Sequence, residues 1–68
     1  MTPALLRAAG EALYGPLWQS ELARALGVAD RTMRRWVAGT SPVPDLSDDL
    51  GAMIRERRAA LAGLLRRL

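Results

Sequence analysis

Arg31, Arg34 and Arg35 fall within little more than one helical turn of one another in the segment Gln19–Ala38. Side chains three and four apart on a helix share a face, so these guanidinium groups would stand together. Each is a planar fork of donors that fits a phosphate or the O6/N7 edge of a guanine. Arginines near the amino end of a helix can carry that fork into the major groove of DNA. Asp30 precedes them; a carboxylate there repels phosphate but can accept a hydrogen bond from cytosine N4. The competing account of the trio is an ordinary solvated helix face. The elements around it must decide.

Other chemistry is poorly supplied. The chain has no cysteine and no histidine, and every basic residue is an arginine. Disulfides, thiolate nucleophiles, the usual general base, the commonest zinc ligand and a Schiff-base lysine are all missing. There is no Gly-rich phosphate loop. Asp45, Asp48, Asp49 and Glu56 read as partners of a helix amino end plus surface charge. The expectation is a protein that is not an enzyme, with no metal, no cofactor and no small-molecule ligand.

Composition sets the frame. Sixty-eight residues with a net charge of +3 make one small domain, residues 1–68. A chain of this size buries only roughly 60% of its unfolded surface. Without disulfides or metals, such domains often gain burial by oligomerising. Codon bias in a GC-rich genome can by itself replace lysine with arginine, so the placement of the arginines carries the argument, not their number. Met1–Gly10 lacks the continuous apolar core of a secretory signal, and no run approaches the ~20 apolar residues of a membrane span. A soluble cytoplasmic protein is expected.

Four helices are predicted. Thr2-Pro3 opens the first, with threonine as cap and proline at the first helical position. Leu5, Leu6, Ala9, Ala12 and Leu13 form its apolar stripe, Arg7 and Glu11 can pair on its wet face, and Gly15-Pro16 ends it. In the second, Leu22, Ala23 and Leu26 share a face, with Trp18 one turn earlier as a staple. Gly27 makes the turn, and Val28 folds back to the core. The third begins around Asp30, which is either its cap or just inside it, and buries Met33, Trp36 and Val37 opposite the arginines. Thr40-Ser41-Pro42-Val43-Pro44 is a rigid connector. A long helix over 46–67 follows, with Asp45 or Ser47 as cap. Positions 50, 54, 57, 61, 64 and 68 alternate in steps of four and three, the spacing of a coiled-coil seam, which Arg57 interrupts.

The fold class is therefore all-α, a four-helix domain with a central helix-turn-helix over 19–38. Two helices crossing at ~90–120° need a small residue at the crossing, which Ala23 supplies. Together the pattern A-x-x-x-G-V-x-x-x-x-M-x-x-W, Ala23 to Trp36, meets several separate steric demands. The stretch ELARALGVADRTMRRWVAG, Glu21–Gly39, resembles the helix-turn-helix of the Cro/C1 (XRE-like) repressor superfamily of phages and bacteria. In size and layout the chain is also similar to the small anti-CRISPR-associated repressors. The long last helix departs from the family's usual two shorter ones.

The resemblance implies a bacterial or phage-encoded transcription regulator that binds double-stranded DNA. Its base-contacting positions fall on Asp30, Arg31 and Arg35, with Arg34 beside them. Its phosphate-contacting position at the start of the second helix falls on Gln19, and Thr32 is a further phosphate or cap contact. The family often has Ser or Thr where this chain has Ala29, which loses a cap worth ~1 kcal/mol. A homodimer is expected, joined through Leu50, Ile54, Leu61, Leu64 and Leu68. The alternative arrangement packs Leu46, Leu50 and Ile54 on the domain and leaves only the last turns to the partner. Function is expected to be repression by occluding a promoter with inverted-repeat half-sites. The alternatives are a DNA-targeting subunit of a recombinase or excisionase complex, or a protein-interaction module or antitoxin. Arg55, Arg57 and Arg58 read as solvated helix surface, with phosphate contact or a cross-dimer pair as the alternative.

Overall fold

A computed structural model describes all 68 residues. The chain is all-helical, in the order α1 (Pro3–Tyr14), α2 (Trp18–Leu26), α3 (Asp30–Ala38) and α4 (Ser47–Arg67). Two of the helix starts have a local side-chain cause. Thr2 Oγ1 accepts the Leu5 N–H at 3.1 Å and Pro3 is the first helical residue. At α4 it is Asp45 that reaches forward, its Oδ1 accepting the Ser47 N–H at 3.0 Å. The Ser47 hydroxyl and then this N–H hold the Asp45 carboxyl below the usual carboxylate range.

The ends are also specified. Gly27 (φ 73°) and Gly39 (φ 76°) take the left-handed conformation, which costs a glycine little. Each closes its helix with the same pair of bonds. After α2, Gly27 N–H donates to Arg24 O and Val28 N–H to Ala23 O; after α3, Gly39 N–H donates to Trp36 O and Thr40 N–H to Arg35 O. Two helices ended this way point their axes in new directions within a few residues, which is how α2 and α3 come to cross.

One core joins all four helices. It is built from Leu6 and Leu13 of α1, Trp18, Leu22 and Ala23 of α2, Met33 and Trp36 of α3, Val43 and Leu46 of the connector, and Leu50 of α4. Leu22 and Ala23 are fully buried, as the crossing of α2 and α3 requires. The stripe on α1 is narrower than its alanines and leucines suggest. Leu6, Gly10 and Leu13 face inwards, Ala9 is half-buried, and Leu5 and Ala12 face solvent. Gly10 is buried because Trp18 lies on it: a Cβ at Gly10 would sit 2.1 Å from Trp18 Cε3. Trp18 thus staples α2 to α1 rather than lying over α2 alone.

Helix α4 departs most from its predicted role. Leu50 is only 4% exposed and belongs to the core, so it has no surface to offer a partner and cannot take the interface role expected of it. Met53 is half-buried against the same core. Arg57 is not free solvated surface. Its Nη1 donates to Leu13 O at 2.7 Å, and its guanidinium lies over the Tyr14 ring, 5.7 Å from the centroid. Carbonyls in the last turn of a helix lack intrahelical partners, and a cation there also complements the dipole. Arg57 therefore ties α4 to the end of α1. Arg57→Ala should lower stability by about 1 kcal/mol, the size of one hydrogen bond to a charged group at a partly wet site. Urea unfolding checks this.

Beyond Arg57, α4 leaves the domain. A helix of 21 residues is about 31 Å long at 1.5 Å per residue, and the molecule measures 44 × 21 × 20 Å. Leu61, Leu64, Leu65 and Leu68 are each more than half exposed. No helix is long and apolar enough to cross a membrane.

Candidate nucleic-acid interface

Helix α3 presents two faces. Met33 and Trp36 are buried on one, with Val37 and Thr32 half-buried at its edges. Arg31, Arg34 and Arg35 are all exposed on the opposite one. Because the buried side is anchored by a large ring and a flexible thioether, the position of the arginine backbone is fixed by packing. Their guanidinium groups are left free: the chain's one salt bridge joins Arg24 to Glu21 at 3.2 Å, on α2. The same finding removes the anticipated Arg7–Glu11 pair on α1. No carboxylate of this protein neutralises the α3 trio.

Asp30 is the first residue of α3, exposed, and not its cap. The cap position belongs to Ala29, whose backbone is extended (φ −70°, ψ 150°) and which provides no side-chain hydrogen bond. An acid in the first turn and Arg35 in the last both suit the helix dipole. The Asp30 carboxylate projects at the leading edge of the arginine face.

Helix α2 starts without a side-chain cap as well, since Leu17 holds the position. The two helices of the turn motif therefore expose first-turn N–H groups that no side chain of the protein takes. In α1 the Thr2 hydroxyl fills that role; α4, like α2 and α3, has no side-chain cap at its cap residue, Leu46, although Asp45 from outside the helix takes the Ser47 N–H. Gln19 and Ser20 lie in the first turn of α2, Gln19 half-buried and Ser20 exposed. They line a shallow depression with Pro16 and Leu17. Uncapped N–H groups and the positive end of a helix dipole favour anions.

The predicted site residues thus divide. Arg31, Arg34, Arg35 and Asp30 stand on one exposed face of α3, Gln19 sits at the start of α2, and Thr32 lies at the border of core and surface. Ile54, Leu61, Leu64 and Leu68 lie partly or wholly exposed along α4, together with Leu65, which the seam spacing had left out. Leu50 alone is withdrawn into the core. No group of three or more acidic side chains is placed to hold a metal ion. No protein-family model, curated protein or solved structure matches the chain.

Proposed function

We propose that this chain is a sequence-specific double-stranded DNA-binding protein that works as a homodimer. It represses transcription in the cytoplasm of a bacterium by covering a promoter with inverted-repeat half-sites. One observation carries the reading: three unpaired arginines on one face of a short helix whose opposite face is locked into the core by Met33 and Trp36. That face carries three bases and a single acid, Asp30, at its leading edge, a positive excess that suits a polyanion better than an evenly mixed solvated face does. On this reading Arg31 and Arg35 chelate guanine edges, Arg34 takes a base or a phosphate, and Asp30 accepts from cytosine. Gln19, Thr32 and the free N–H groups of α2 hold the phosphate backbone and set the register. The role is binding, not catalysis.

Selection of bound duplexes from a random pool tests this. Enrichment of a motif with two symmetric G-containing half-sites is the expected result; recovery of no motif would count against sequence-specific binding. Homodimer formation has its own test. Leu61→Arg places a charge in the middle of the exposed stripe of α4. It should convert the protein to a monomer in sedimentation experiments while leaving its helical content intact. Half-site spacing near one DNA turn, about 34 Å, makes loss of the dimer costly, because each protomer alone reads half the sequence.

A further inference from the structure

We infer that Asp30 sets the specificity of the arginine face by exclusion. Its carboxylate turns away phosphate and every base edge that offers only acceptors, so the three arginines bind tightly only where a cytosine lies within reach of Asp30. This rests on the DNA reading above and deepens it: there cytosine is one contact among several, and here the charge of Asp30 decides which duplexes are refused.

Asp30 has no partner in its own chain. It is exposed, the cap position of α3 belongs to Ala29, and the chain's one salt bridge joins Arg24 to Glu21. Asp30 and Arg34 are four apart with the acid nearer the amino end, the spacing and order that favour pairing on a helix. No ion pair joins them, so both charges stay turned to whatever binds the face. The helix dipole favours an acid in the first turn, a demand that aspartate and glutamate meet alike.

The charge balance gives this one acid its weight. Helix α2 has two charged residues, Glu21 and Arg24, and they are joined to each other at 3.2 Å. Helix α3 has Asp30, Arg31, Arg34 and Arg35. Asp30 is therefore the only unpaired acid of the two helices. Three arginines against one aspartate leave the face at +2, where the arginines alone would give +3.

Arginines without an acid hold any phosphate chain, whatever its sequence. A carboxylate can only accept. In the major groove guanine shows O6 and N7 and thymine shows O4, all acceptors; cytosine N4 donates, and adenine N6 donates beside the N7 acceptor. A carboxylate among the arginines is thus repelled by phosphate, guanine and thymine and satisfied best by cytosine. Specificity is a difference of affinities, so repulsion of the wrong duplex raises it as attraction to the right one does.

Asp30→Asn, which keeps the shape and adds a donor, and Asp30→Glu, which keeps the charge, test this. Far-UV circular dichroism and urea unfolding verify that both fold. Equilibrium binding is measured against the duplex selected by the wild type, the same duplex with each half-site position replaced in turn, and a scrambled duplex. Salt is held at about 0.01 M, where screening is weak. One charge about 7 Å from a phosphate in water is worth a factor of roughly three. Asp30→Asn should therefore bind the scrambled duplex about threefold tighter per protomer, and that binding should fall more steeply with salt. Its preference for the selected duplex should drop, with discrimination lost at a cytosine position. Asp30→Glu should bind the scrambled duplex as weakly as the wild type does. Scrambled-duplex affinity unchanged or weaker in Asp30→Asn, the same tightening in Asp30→Glu, or equal tightening on both duplexes would overturn exclusion by Asp30. A wild type that prefers no duplex would overturn the DNA reading itself; a wild-type preference that Asp30→Asn leaves untouched would overturn this inference alone.

Discussion

Gly10→Ala should destabilise the protein by about 2 kcal/mol and lower Tm by roughly 10 °C, although alanine is the better helix former. On an exposed helix surface the same change stabilises by about 1 kcal/mol. Here the new methyl would lie 2.1, 2.4 and 2.8 Å from three atoms of the Trp18 ring. Trp18 is itself buried against Leu6 and Leu13 in the core, so the ring cannot swing aside without opening a gap. The overlap must be relieved by separating α1 from α2. For 68 residues the whole stability is on the order of 3–10 kcal/mol, so the loss is a large part of it. A control isolates the cause. In a Trp18→Ala background, which is less stable from the start, adding Gly10→Ala should be neutral or stabilising. A double-mutant cycle by thermal or urea unfolding measures this coupling. Equal destabilisation in both backgrounds would mean that Gly10 is needed for something other than room for the tryptophan.

This contact bears on function through geometry. Trp18 is the first residue of α2, and its seat on α1 sets where α2 begins. Helix α2, through the Gly27 turn and the Leu22–Ala23 crossing, sets where α3 lies. The arginine face is thus positioned by a chain of packed contacts that starts at a glycine remote from it in sequence.

Much of that chain is legible in the residues alone. Ala23, Gly27, Val28, Met33 and Trp36 each answer a separate local demand, and local demands leave local signals. So do the Thr2-Pro3 start and the Gly39 stop. Gly10 is different, because a glycine inside a helix acquires its reason only from the ring that crosses it. The Arg57 contact joins residues 44 apart in sequence, and no periodicity reveals it. The same limit explains Leu50. A stripe in steps of three and four looks identical whether it packs on its own domain or on another copy. Only the position of α1 shows where one ends and the other could begin. Asp30 could be cap or first helical residue by composition; the extended backbone of Ala29 decides for the second.

The largest effect on function is expected from Arg31→Ala combined with Arg35→Ala. A bidentate arginine–guanine contact is worth about 1–3 kcal/mol of discrimination. In a symmetric dimer each substitution removes two such contacts, so Arg31→Ala alone should cost about 2–6 kcal/mol on the selected site. Specific binding typically exceeds nonspecific binding by about 4–10 kcal/mol. The double variant should therefore lose essentially all preference. Its residual binding should match that of the wild type on unrelated DNA, held by Gln19, Thr32, Arg34 and the α2 N–H groups and falling steeply with salt. Both side chains are exposed and unpaired, so stability should be nearly unchanged.

The most direct measurement is an equilibrium titration of wild type and the Arg31→Ala/Arg35→Ala variant against the selected duplex and a scrambled one, at fixed salt. The account predicts that the wild type prefers the selected duplex by about 10³-fold or more and that the folded variant binds both duplexes equally weakly. A variant that keeps the wild-type preference would contradict the assignment of DNA recognition to the arginine face of α3.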